Sequence, residues 1–152
     1  MAKRFWLMKS EPSEFSITDL EAKGESLWDG IRNYQVRNLI RDTIKVGDRA
    51  LFYHSSCKDV GVVGEMEIEG TPVPDPTQFD SQSHYYDPKS PKDNPRWLAV
   101  PVRHITTWPR TVTLAELRAN PALQGMTILK AGNRLSITEI QQSEYKTIKA
   151  IK

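Results

Sequence analysis

Two strand-like runs lie close together in the middle of the chain, and their spacing constrains the fold more than any other feature. Residues 49–54 (RALFYH) alternate, with Leu51 and Tyr53 pointing one way and Phe52 and His54 the other. Residues 61–68 (GVVGEMEI) form the clearest strand. In a regular strand Val62, Met66 and Ile68 share one face with Gly64, while Glu65, Glu67 and Glu69 share the other with Val63. The hairpin loop between the runs, residues 55–59, is too short for a parallel crossover, so the two strands are antiparallel neighbours. That loop holds Cys57, and nothing nearby marks its thiol as activated.

The remaining elements fit round this pair. Residues 5–9 (FWLMK) are apolar on both faces and read as a central strand. Ser16 and Asp19 imitate a capping box, with Phe15 and Leu20 as a hydrophobic staple, predicting a helix over 17–23 that stops at Gly24. Asp29-Gly30 is a turn directly after Trp28. A short helix follows Asn33, with Val36, Leu39 and Ile40 at i, i+3, i+4 spacing, and a turn follows at 46–48. Residues 97–106 read as a strand in which Pro101 marks an edge or a bulge. Thr113 and Glu116 form a true capping box, stapled by Val112 and Leu117, for a helix over 114–119. A turn at 132–134 precedes a strand over 135–140, and a last helix over 142–150 buries Tyr145 and Ile148. Residues 71–95 are rich in Pro, Asp and Ser. A loop of that length is a functional flap or a disordered segment, and the Tyr85-Tyr86 pair favours partial order. The sum is one α+β domain over 1–152, a mixed or mainly antiparallel curled sheet or small β-barrel with short helices at its rim.

Composition serves mainly to exclude. At 152 residues, with 38% hydrophobic and 26% charged, the chain can bury the core of one domain. A net charge of +2 permits nucleic-acid contact without arguing for it. The single cysteine removes internal disulfides, cysteine zinc sites and the zinc deaminase signature. Phosphate loops, dinucleotide fingerprints and nucleophile elbows are absent, and His54, His84 and His104 show no metal spacing. No metal or cofactor is expected. No stretch reaches the length of a membrane span, and the apolar run near the start is too short for a signal peptide. The expectation is a soluble, cytoplasmic, monomeric protein that does not meet a membrane.

Residues 28–55 bring together an indole, a phenol, an imidazole, an amide and several guanidiniums. That mixture suits a flat aromatic ligand with polar edges, such as a nucleobase; it equally suits a core helix on a core strand, with Trp28 as packing. Arg37, Arg41 and Lys45 recur every four positions, as a phosphate-facing stripe or a solvated helix face. Lys9 and Glu11, two apart at a strand end, form an acid/base pair or an ion pair.

Several segments together resemble the EVE domain, a PUA-like family related to the YTH readers of methylated adenine. They are LMKSEP at 7–12, WDGIRNYQVRN at 28–38, LFYHS at 51–55, YYDPKS at 85–90, PRW at 95–97 and GNRLS at 132–136. The resemblance spans essentially the whole chain. It implies a curved sheet or barrel with a pocket at its mouth, and binding of a modified base in DNA or RNA, with 5-methylcytosine and related pyrimidines as the usual candidates. The implied base pocket draws on Lys9 and Ser10, on Trp28, Arg32 and Asn33, on Tyr53, His54 and Ser55, and on Asn133 and Arg134. Phosphate would fall to Arg37, Arg41 and Lys45. The expected function is a non-catalytic reader that flips a base out of its strand. The alternative is an ASCH-like hydrolase of a modified nucleoside that uses Lys9 and Glu11.

Overall fold

A computed structural model describes residues 3–152. In chain order its elements are β1 (Phe5–Ser10), α1 (Ile17–Lys23), β2 (Glu25–Trp28), α2 (Tyr34–Asp42), β3 (Arg49–His54), β4 (Gly61–Ile68), β5 (Val73–Pro74), β6 (Leu98–Thr113), α3 (Leu114–Ala119), β7 (Ile137–Ile140) and α4 (Gln142–Ile151). The sheet runs β2-β6-β4-β3-β1-β7, with β5 added on β6. Only the β1–β3 pair is parallel among the described residues. The sheet is therefore mixed, as expected. It is open rather than a closed barrel, since β2 and β7 end it without pairing to each other.

Each face of the sheet carries its own core. Trp6, Met8, Phe52, Met66 and Val100 lie on one face, covered by Ile17 and Leu20 of α1 and by Val36 and Ile40 of α2. Phe5, Leu7, Leu51, Tyr53 and Trp108 lie on the other, covered by Leu117 of α3 and by Tyr145 and Ile148 of α4. Burying each such side chain contributes about 1.5–3 kcal/mol, so both layers anchor the sheet. The alternation expected for β3 holds, and β1 is apolar on both faces as expected. The alternation expected for β4 does not. Val62 packs in the second core, whereas Val63, Met66 and Ile68 pack in the first. Register shifts at Phe52/Tyr53 and at Val62/Gly64 insert a residue and reverse the facing of the positions beyond it.

Local signals set the helix ends. Ser16 Oγ accepts from Asp19 N and Asp19 Oδ2 accepts from Ser16 N, closing the box of α1. Gly24 ends the helix at φ 80°, where its N–H donates to Leu20 O. Thr113 and Glu116 cap α3 in the same way. Two strands differ from expectation. β2 is a four-residue edge strand that the sequence pattern does not reveal. β6 runs on to Thr113 through Pro109, because residues beyond 106 pair with the start of β4.

Candidate nucleic-acid interface

The parallel pairing of β1 with β3 generates the site. Register puts Ser10 beside His54, so both strands end on the same rim, and Ser55 N donates to Ser10 O at 3.0 Å. Lys9 N donates to Ser136 O at 2.8 Å, which brings the turn before β7 to that rim. Opposite stand the Trp28–Gly30 turn after β2 and the tip of the 71–95 segment. Between them is a cleft of about 1040 Å³, lined among others by Lys9, Ser10, Trp28, Asp29, Tyr85 and Arg134. That is the upper end of the size range for small-ligand sites.

The floor is aromatic. Trp28 is only 5% exposed and packs edge-on against Phe52, ring centroids 5.2 Å apart, and against Phe15 at 6.4 Å. It belongs to the first core, as the packing reading expects, and the small part of it that is exposed lines the cleft. The rim is polar. Lys9 makes no ion pair among the described residues, and partial burial lowers its ammonium pKa. Glu11 also lines the cleft, without pairing to Lys9. Burial raises the Asp29 carboxyl, and the nearby Asp75 charge raises it further. Arg134, Lys23 and Ser55 complete the edge.

Residues 71–95 are an ordered flap, held by one buried node. Asp75 is 0% exposed; its Oδ2 accepts from Gly30 N at 2.8 Å and from Arg32 Nη1 at 3.0 Å, and its Oδ1 accepts from Thr77 N at 2.8 Å. Burial pushes this carboxyl up, but the hydrogen bonds from Thr77, Gly30 and Arg32 outweigh that and hold it below its usual value. Gln78 is fully bonded as well, donating to Asp75 O and Trp97 O and accepting from Ser90 Oγ and Trp97 N. At the tip, the Tyr85 ring lies on Gly30, where φ is +77° and an added Cβ would come within 2.8 Å of the ring. The Tyr85 hydroxyl donates to Glu14 Oε2 at 2.6 Å, tying the flap to the loop after β1.

Of the expected pocket residues, Lys9, Ser10, Trp28, Ser55 and Arg134 line the cleft together. The others are held elsewhere. Arg32 spends its guanidinium on Ile31 O, Asp75, Thr77 and Tyr85 O. Asn33 Oδ1 caps α2 by accepting from Val36 N at 3.0 Å. His54 Nε2 accepts from Ile17 N at 3.2 Å, tying β3 to the start of α1, and partial burial lowers its pKa. Tyr53 faces the opposite core, where it is 2% exposed and its hydroxyl is pushed up to about 12 by burial. Asn133 Oδ1 accepts from Leu135 N, while its Nδ2 is buried without a partner.

The basic stripe also differs from expectation. Arg37 donates to Asn38 Oδ1 and Arg96 O, and Arg41 forms a two-point pair with Asp42. Lys45 lies beyond the end of α2 and so is not on its face. Sequence reasoning missed Asp29 and Gly30 as cleft residues because Asp-Gly reads simply as a turn. The buried Asp75 carried no signal in a loop full of aspartates.

The EVE domain model matches residues 4–151. The chain belongs to the EVE domain family. Human thymocyte nuclear protein 1 is 42% identical over 158 residues, covering 92% of this chain and 70% of that protein. The crystal structure of human THYN1 protein in complex with 5-methylcytosine-containing DNA superposes with a TM-score of 0.89 at 40% identity, covering 98% of this chain and 97% of that one. The YTH domain of the Zygosaccharomyces rouxii MRB1 protein, solved with N6-methyladenosine RNA, gives a TM-score of 0.56 at 19% identity over 98% of this chain and 86% of that one. That last likeness is one of fold alone. This EVE chain has the mixed α+β fold that its motifs imply. Among the described residues no helix is long and apolar enough to cross a membrane.

Proposed function

We propose that this protein is a non-catalytic reader of a modified pyrimidine, 5-methylcytosine or a close relative, in DNA or RNA. The observation that carries the reading is the cleft itself: one aromatic floor at Trp28, apolar wall from Phe15 and Ile31, and an ammonium at Lys9 that is unpaired among the described residues, all lining one cleft. A flat heterocycle needs that combination of stacking surface and polar edge. The relative solved with 5-methylcytosine-containing DNA supports the same ligand class. Lys9, Ser10, Trp28, Ser55 and Arg134 would touch the base or its sugar. Arg32, Asn33 and His54 would act by holding the flap, α2 and α1 in place. The name of the human relative, thymocyte nuclear protein 1, supports a nuclear rather than a cytoplasmic setting.

The energetics restrict the target. Extruding a base from a duplex costs a few kcal/mol, and stacking on an aromatic ring returns about 1–3 kcal/mol. These nearly cancel, so useful affinity requires phosphate contacts or an already unpaired strand. We assign the phosphate contacts first to Arg134 and Lys23 at the cleft rim, and only second to Arg37, Arg41 and Lys45. A methyl group placed on the apolar wall contributes about 0.8 kcal/mol, or roughly fourfold. The test is fluorescence anisotropy with single-stranded oligonucleotides that carry one 5-methylcytosine or one cytosine at the same position. A preference of about fourfold or more for the methylated strand is the expected result. Equal binding of the two strands overturns the reading.

A further inference from the structure

Thymine carries the same 5-methyl group as 5-methylcytosine, so an apolar wall that accepts one methyl accepts both. The two bases differ at position 4, where cytosine has an amino group that donates and thymine a carbonyl that accepts. They differ too at the neighbouring ring nitrogen. Recognition of a methylated cytosine in a strand that also contains thymine therefore needs a hydrogen-bond acceptor, and a charged acceptor rejects the carbonyl most strongly.

Three carboxylates line the cleft: Glu11, Glu14 and Asp29. Glu14 is occupied, since it accepts from the Tyr85 hydroxyl and faces His84 at 3.0 Å. Glu11 stands on the outer loop after β1. Asp29 lies between the Trp28 floor and Gly30, whose φ of +77° and contact with Tyr85 fix the turn. Its carboxylate makes no hydrogen bond or ion pair to another side chain among the described residues. Lys9 of β1 also lines the cleft, and its ammonium is likewise unpaired among them.

We infer that Asp29 is the specificity-determining residue of the cleft, accepting a hydrogen bond from the 4-amino group of a cytosine-type base and so excluding thymine and uracil. This rests on the proposed reading of the cleft as a modified-pyrimidine site. The burial that raises the Asp29 carboxyl is in keeping with it, because an amino donor restores what burial takes from the charged form. A charge-assisted hydrogen bond gained on one base and a repulsion on the other gives a preference of about tenfold or more.

The experiment is anisotropy titration of single strands that differ at one position only, bearing 5-methylcytosine, cytosine or thymine. Wild type, Asp29→Asn, Asp29→Ala and Glu11→Gln are compared, with a thermal midpoint recorded for each. Wild type should prefer 5-methylcytosine over thymine by about tenfold or more. Both Asp29 variants should bring that ratio to within about twofold, and Glu11→Gln should keep it. Wild type that binds thymine as tightly as 5-methylcytosine overturns the inference without any variant. So does an Asp29 variant that retains the preference, or loss of the preference in Glu11→Gln alone. In each of these cases the preference for 5-methylcytosine over cytosine can still stand. Loss of that second preference in wild type marks failure of the underlying reading instead.

Discussion

The Arg32 guanidinium donates to the Asp75 carboxylate at 3.0 Å, and the carboxylate is wholly buried while the arginine side chain is 23% exposed. The pair links the turn after β2 to the root of the flap, and the same guanidinium reaches Tyr85 O at 2.7 Å near the flap tip. One cation thus fastens the first root and the tip of the segment that walls the cleft.

Arg32→Ala should therefore release the flap. Leaving Asp75 buried without its cation costs about 3–5 kcal/mol, toward the lower figure because Arg32 keeps some exposure. Amide hydrogen exchange should speed up at Gly30, Thr77 and Asp87, whose N–H groups lie at this node or along the flap. Affinity for modified strands should fall, but the salt slope should stay as in wild type, because the Arg32 guanidinium is already bonded to Ile31 O, Asp75, Thr77 and Tyr85 O. A slope reduced by about 0.7 would mean direct contact with the strand.

Trp28 is floor and core at once, so its substitutions act on stability and binding together. Trp28→Ala removes an indole packed on Phe15 and Phe52 and should cost about 3–5 kcal/mol of stability along with binding. Trp28→Phe keeps most of the packing and reduces the stacking surface. It should retain a folded protein by circular dichroism and weaken binding several-fold. Unaltered affinity in a folded Trp28→Phe protein argues that the base does not stack there.

The fold was largely readable, and the reasons are local. The 49–68 hairpin, both capping boxes and the doubly apolar β1 each carry their own signature within a few residues. β2 has none: ESLW is four residues long and buries only Trp28, and its partners on β6 lie some seventy residues away. The β4 bulge defeated a period-two reading because an inserted residue leaves no compositional trace. At the site, residue types were readable but their partners were not. Arg32, Asn33 and His54 are types that bind ligands, yet their donors and acceptors here are Asp75, Val36 N and Ile17 N. Such roles are decided by long-range geometry.

His54 makes stability depend on pH. Its Nε2 can accept from Ile17 N only while it is unprotonated, and partial burial holds its pKa below the ordinary value near 6.5. In the folded state it resists a proton that the unfolded chain takes up. Its contribution is thus complete above about pH 6.5, and is lost as pH falls from there through the lowered folded value. The thermal midpoint of wild type should drop between pH 7.5 and about 5.5. His54→Gln, whose amide oxygen can take the Nε2 position without titrating, should drop less. Losing a cap-like bond costs about 1 kcal/mol, which for a domain of this size is about 2–4 °C. Parallel pH curves for the two proteins would refute the assignment.

Two sets of basic residues differ in whether a phosphate can reach them without cost. Arg41 is already neutralised by Asp42, with Nε and Nη2 each 2.8 Å from a carboxylate oxygen. Engaging a phosphate there means breaking that pair. Arg134 and Lys23 sit on the cleft rim, and neither forms an ion pair among the described residues; Lys23 donates only to Ser26 Oγ at 3.2 Å. On a single strand each true phosphate contact steepens the logarithmic salt dependence by about 0.7. Arg134→Ala and Lys23→Ala should each flatten the slope by about that amount, and together by about twice it, with the preference for the methylated base unchanged. Arg41→Ala should leave the slope alone. If Arg41→Ala flattens it and the rim variants do not, the strand crosses the outer face of α2 rather than the mouth of the cleft.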